Sequence, residues 1–146
     1  MPIDLGVTYT QNVLDAFTRI ERKKEHRYVT FQIKDKRIIL DQVGKKDATF
    51  QDFLGSIPRG SPRFIVYDVN FTLDDGRKCE KLLFIYWCPG DEGMAPREKM
   101  AYAAGKKAFM AMLHDRGCGS LSAELQIYDF EDFSEEEFIK AASKKK

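Results

Sequence analysis

Apolar and polar positions change period several times along the chain, and each change predicts an element. Val13, Leu14, Phe17 and Ile20 recur at helical spacing, so an amphipathic helix is expected after Thr10 as N-cap and up to about Arg22. The basic run Arg22 to Lys24 closes it. Two strands are expected next, Arg27 to Ile33 and Arg37 to Val43, joined as a hairpin by the polar turn Lys34, Asp35 and Lys36. Thr49 then caps a short helix whose Phe50, Phe53, Leu54 and Ile57 form an aromatic face for covering a sheet, and Pro58 ends it.

Two long strands, Arg63 to Leu73 and Lys78 to Trp87, flank Asp74, Asp75 and Gly76, a turn in which glycine supplies the positive φ. Ile65, Tyr67, Val69 and Phe71 share one face, whereas Leu82 to Trp87 is apolar on both, the pattern of a strand covered above and below. A Pro/Gly loop leads into PREKMAYAAGKKAFMAML, a helix with Pro96 at its first position and Gly117 and Gly119 beyond its end. A last strand near Glu124 to Tyr128 precedes Ser134 to Glu137, where a capping box and three acids suit the start of a final helix, with Lys140 toward its other end. The order α-β-β-α-β-β-α-β-α gives the α+β class: a three-layer α/β/α arrangement with a mixed sheet of about five strands between helices.

The long helix carries the strongest candidate surface. In projection Ala101, Ala104, Ala108 and Ala111 cluster with Met100 and Met112, small residues that allow close approach to a sheet, and this face is expected to be buried. The opposite side gathers Lys99, Tyr102, Lys106, Phe109, Met110 and Leu113. Positive charge beside large apolar groups suits a protein-binding surface, because apolar area supplies affinity and charge steers encounter. Trp87, Tyr67 and Tyr102 are expected to be packing residues.

Composition removes several classes. The 146 residues make one expected domain, 1–146, large enough to form a core without metal or disulfide. With 32% charged residues but a net charge of only +1, no overall field recruits nucleic acid. The longest apolar run, Leu82 to Cys88, is far below the roughly 20 residues of a spanning helix. MPIDLGVTYT lacks a basic region followed by an apolar one, so no secretory signal is expected and three reduced cysteines fit a cytoplasmic chain. Cys79 and Cys88 in one strand would stand roughly 30 Å apart, beyond disulfide reach. Cys118 follows His114 by four residues, but the glycines around it break helical register. His26 and His114 have no supporting carboxylate or nucleophile, and Asp74-Asp75-Gly76 lacks the rest of a calcium loop. No enzyme site and no cofactor are expected.

Four segments together resemble the ADF/cofilin family of actin-binding proteins over nearly the whole chain. They are Gly6-Val7, HRYVTFQI from His26, FIVYDVNF from Phe64, and Trp87 followed by Pro89 and PREKMAY from Pro96. The resemblance implies the gelsolin-like ADF-homology fold, binding to actin monomers and filaments as a monomer, promotion of filament depolymerisation and severing, and no reaction chemistry. Arg97, Lys99 and Met100 match the positions with which the family's long helix enters the actin cleft, and Lys106 matches a further basic position. Gly6 and Val7 match the N-terminal segment that packs beside that helix.

The resemblance also implies a second, filament-facing surface, and here the match is thinner. Lys81 aligns with one basic residue of that surface, Cys79 replaces its usual basic neighbour, and Arg77 and Lys78 lie close by. Lys140 and Lys144 stand where the family has mixed charges in its last helix. The loop between Trp87 and Arg97 is about two residues longer than the family's, and Leu5 replaces the N-terminal serine whose phosphorylation regulates many members. Alternatives are a monomer-binding or filament-side-binding protein without severing, and a phosphoinositide-binding adaptor that uses the same lysines and the Lys144 to Lys146 tail. Expected location is the cytoplasm and actin cytoskeleton, with the nucleus left open.

Overall fold

The computed structural model describes residues 8–89, 95–115 and 121–143. Its elements are β1 (Thr8–Tyr9), α1 (Gln11–Glu21), β2 (His26–Lys34), β3 (Arg37–Lys45), α2 (Phe50–Ser56), β4 (Arg63–Thr72), β5 (Lys78–Trp87), α3 (Pro96–Asp115), β6 (Leu121–Ile127), a 3-10 turn (Phe130–Asp132) and α4 (Glu135–Ser143). The strands form one sheet in the order β1-β3-β2-β4-β5-β6. The β3-β2-β4-β5 pairings are antiparallel, while β1 joins β3 and β6 joins β5 in parallel. The expected α+β sandwich is therefore present, with a two-residue β1 added to the five longer strands.

Local chemistry explains most boundaries. The β2–β3 hairpin turns through Asp35 and Lys36, both at positive φ (52° and 61°), the geometry of a tight primed turn that follows the right-handed strand twist. Gly76, at φ 90°, does the same work between β4 and β5. Thr49 and Asp52 exchange side-chain bonds to each other's backbone N–H at 3.0 and 2.9 Å, a complete capping box that starts α2 after strand β3. At α1 the Thr10 hydroxyl instead donates to the Asn12 side chain and caps no backbone N–H. At α4 the Ser134 hydroxyl accepts the Glu137 N–H at 3.3 Å.

Two apolar layers lie on the two faces of the sheet. On one face, Val13, Phe17 and Ile20 of α1 and Phe109 of α3 close over Phe31, Phe64, Val66 and Phe84. On the other, Phe53 of α2 and Phe138 of α4 meet Tyr28, Ile65, Tyr67 and Trp87. Residues 82–87 alternate between these layers and are buried on both sides, as expected for a central strand. The Arg63–Asp41 ion pair at 2.8 Å is nearly buried, and Thr30 and Gln32 also donate to Asp41. It holds the chain between α2 and β4, where the Trp87 indole N–H donates to the Pro58 carbonyl at 2.7 Å.

Candidate functional site

The long helix α3 is fastened to the sheet in its first half. The Ala95 carbonyl accepts the Lys99 N–H at 3.1 Å, so Pro96 occupies the first helical position, where its missing donor costs nothing. One turn on, the Tyr102 hydroxyl accepts the Ile33 N–H at 2.9 Å and ties the helix to the end of β2. Tyr102 also stacks on Tyr86, and burial raises its phenol pKa, so it remains neutral. Gly105 lies against the sheet so closely that a Cβ there would stand 2.5 Å from Ile33 Cδ1. Below it Phe109 stacks on Phe64 with centroids 5.9 Å apart.

These contacts correct the expected division of the helix. Tyr102 and Phe109, assigned above to the outer side, are buried in the core, while Met100 and Ala111, assigned to the inner side, are exposed. The reason is area: two aromatic rings remove far more apolar surface from water than a row of methyl groups, so they set the rotation of the helix. The close approach is made at Gly105 and not at the alanines alone.

The rotation brings Met100 to 67% exposure, an unusual state for so large an apolar side chain. Arg97 is exposed three residues before it, and Lys99 is half-buried. Pro96, Arg97 and Met100 thus form an accessible apolar and cationic tip at the start of α3. Lys106 stands differently, for its ammonium is 3.1 Å from Glu124 Oε2 on β6. Part of its charge is already answered inside the chain. Beside that pair a groove of about 490 Å³ lies between α3 and β6, lined by Tyr86, Ala103, Met110 and Gln126.

The second set of predicted residues sits toward the other end of the sheet. Strand β5 pairs Lys78 with Thr72 and Trp87 with Arg63, so the β4–β5 turn is remote from the end at which Tyr102 meets Ile33. Arg77, Lys78 and Lys81 are exposed, but the Arg77 guanidinium donates to Asp75 Oδ2 at 2.8 Å within its own turn. Lys140 is exposed on α4. Gly6, Val7 and Lys144 lie outside the described residues, as does Leu5. The structure therefore brings Arg97, Lys99 and Met100 together, and places Arg77, Lys78 and Lys81 along one end of β5 with Lys78 and Lys81 on opposite faces of the strand.

Sequence reasoning missed three features near these surfaces. Tyr128, read above only as a strand end, is 54% exposed just beyond β6. The Arg59 guanidinium covers the Phe130 ring at 4.1 Å, fixing the turn after Tyr128 to the loop after α2. Asp68 is buried on β4 with Lys24 3.7 Å away, and Lys24 also reaches Glu80 at 3.9 Å. Only the exposed aromatic had a usable signal, since a tyrosine next to Asp129 at a strand end breaks the apolar alternation; the other two are contacts between distant segments.

Among the described residues no group of three His, Cys, Asp or Glu side chains could hold a metal ion, and no helix is long and apolar enough to cross a membrane. Cys79 and Cys88 form no disulfide among the described residues. A family model described as cofilin/tropomyosin-type actin-binding protein matches residues 6–143. Actophorin of Entamoeba histolytica is 30% identical over 136 residues, which cover 92% of this chain and 93% of that protein. The solution structure of ADF/cofilin from Trypanosoma brucei superposes with a TM-score of 0.69 at 30% identity, covering 94% of this chain and 96% of the other. The crystal structure of Streptomyces griseoflavus cofilin gives a TM-score of 0.76 at 24% identity over 94% and 99% of the two chains, a likeness of fold. On the matched residues and the shared fold together, this chain belongs to the cofilin/tropomyosin-type family, whose members bind actin and carry out no reaction chemistry.

Proposed function

We propose that the chain, acting as one unit, binds actin monomers and filaments and promotes filament depolymerisation and severing. The exposure of Met100 beside Arg97 and Lys99 supports this reading most directly, because that tip sits on a helix whose inner side is otherwise fixed. Arg97 and Lys99 form charge-assisted bonds with acidic groups of actin, and Met100 supplies adaptable apolar contact. Binding favours one filament geometry over another and so shifts a population without making or breaking a covalent bond. The place of action on this reading is the actin cytoskeleton.

Arg97→Glu and Lys99→Glu, made singly and together, test the assignment. Each should weaken monomer binding by about tenfold or more while circular dichroism stays unchanged. Unchanged monomer affinity in the double variant refutes the role given to these residues.

A second reading, monomer or filament-side binding without severing, has one observation in its favour. Arg77 is held by Asp75 in its own turn, and the half-buried Cys79 shares one face of β5 with Lys81, whereas Lys78 points to the opposite face. Co-sedimentation with filaments at several salt concentrations, followed by microscopy of filament length, separates the readings. Pelleting with shortened filaments supports the first. Retained monomer binding without pelleting, or pelleting without shortening, supports the second. The phosphoinositide reading has less behind it, since Lys106 is paired with Glu124.

A further inference from the structure

A cleft of about 350 Å³ opens on the α2 and α4 side of the sheet, behind the face that carries α3. Its volume is that of a small-ligand site. Phe50, Tyr67 and Phe138 line it, set edge to face with centroids 5.3 to 6.2 Å apart, and give it an aromatic wall.

Three polar groups converge there. The Arg27 guanidinium is held by two carbonyls, donating to Asp68 O at 3.1 Å and Lys46 O at 3.0 Å. Two of its five N–H groups are thereby used, and the group is fixed with donors to spare. Glu135 stands exposed in the first turn of α4 and makes no ion pair among the described residues. Tyr67 is only 5% exposed, yet its hydroxyl bonds nothing among the described residues. Burial pushes its pKa up to about 12, so it stays a neutral donor, and both Arg27 and Glu135 are near enough to act on it.

Opposite charges on one small aromatic cleft select against a ligand with a single charge. A lone anion gains from Arg27 and is repelled by Glu135; a lone cation meets the reverse. We propose that this cleft binds a small zwitterion of the free amino-acid type with an apolar side chain. Its carboxylate rests on Arg27 and the Tyr67 hydroxyl, its ammonium on Glu135, and its hydrocarbon on Phe50 and Phe138. The sheet separates this site from α3, while Lys81, the β5 partner of the lining residue Val69, and Lys140, next to the lining residue Ile139, set it beside the expected filament-facing residues.

Titration of the nitrogen-15-labelled full chain with L-phenylalanine and L-leucine, followed by NMR, tests the proposal. The amides of Tyr67, Asn70, Glu135 and Ile139 should shift, and phenylacetate and phenethylamine should bind about tenfold more weakly or worse. Glu135→Gln, a change at an exposed position, should lower the affinity for L-phenylalanine by about tenfold without altering the fold. Ile139→Trp, which fills the cleft, should abolish the shifts and serves as a second check. No shift at these amides with either amino acid at about 10 mM overturns the proposal, because even weak millimolar binding would register there. Equal affinity for phenylacetate, or an affinity untouched by Glu135→Gln, overturns it as well.

Discussion

Replacing Lys24 by Met should destabilise the protein at neutral pH far more than at acid pH. Asp68 is 3% exposed, and one carboxylate oxygen has no hydrogen bond; Lys24 stands 3.7 Å away, near enough for charge attraction but too far for a bond. Burial raises the Asp68 pKa above its ordinary 3.8, Lys24 and Arg27 oppose the rise, and the Glu80 carboxylate adds to it. At this separation and an effective dielectric near 20, the gross attraction to Lys24 is roughly 4 kcal/mol. Lys24 remains 28% exposed, so water screens part of this. A net loss of about 2 kcal/mol at neutral pH is expected when the ammonium is removed and the buried charge is left behind. Met keeps the stem and the left-handed backbone of Lys24, at φ 54°.

The pH dependence follows from the direction of the shift. Because the folded pKa of Asp68 lies above the unfolded one, the native state keeps a proton that the unfolded chain has released. Stability contributed by this group is therefore present at low pH and is lost as pH rises through that window. Lys24→Met extends the window upward. Urea denaturation of wild type, Lys24→Met, Asp68→Asn and the double variant at about pH 7.5 and about pH 4.5 measures the effect. The Lys24→Met deficit should shrink at the lower pH and largely vanish in the Asp68→Asn background. An equal deficit at both pH values, or simple additivity of the two substitutions, refutes the reasoning.

Two further substitutions test how the helices are held. Tyr102→Phe leaves the Ile33 N–H without its bond and should cost about 1 to 2 kcal/mol, with faster hydrogen exchange at the Ile33 amide; unchanged exchange would show that the bond does not anchor α3. Gly44→Ala places a Cβ 2.2 Å from Tyr28 Cε2, and that ring is held between Phe53 and Tyr67. A loss of about 2 to 3 kcal/mol in urea denaturation is expected, and a neutral result would mean that the ring can move.

The sequence made legible those features whose cause is local. Thr49 and Asp52 cap α2 within four residues, Gly76 turns the chain at its own φ, and Val13, Phe17 and Ile20 declare the inner side of α1. Pairings between distant segments were not legible. Strand β1 exists only because Thr8 and Tyr9 lie beside Arg37 and Ile38, and two residues carry no strand period of their own. The pairing of Lys106 with Glu124 depends on β6 lying next to β5, which no helical projection contains. The rotation of α3 was misread for a related reason. Projection weighs every apolar residue on one circle, whereas the sheet receives Tyr102 and Phe109 in particular places, against Ile33 and Phe64. The positions of Arg97, Lys99 and Met100 came from resemblance to a family, and periodicity alone had placed Met100 inside.

That rotation also explains why the start of α3 can change its contacts without endangering the fold. The side chains that hold the helix are Tyr102, Phe109 and Met112 on the inner side, with Gly105 admitting the sheet, and Lys106 is tied laterally to Glu124. Arg97 and Met100 stand outside this set. A partner that binds them meets a backbone already fixed by the Tyr102 bond, so it orders two flexible side chains and not a segment of chain. The entropy lost on association is smaller for that reason. Surface substitutions at these two positions can thus tune affinity over a wide range at little cost in stability, whereas the buried Tyr102, two residues beyond Met100, admits no such freedom.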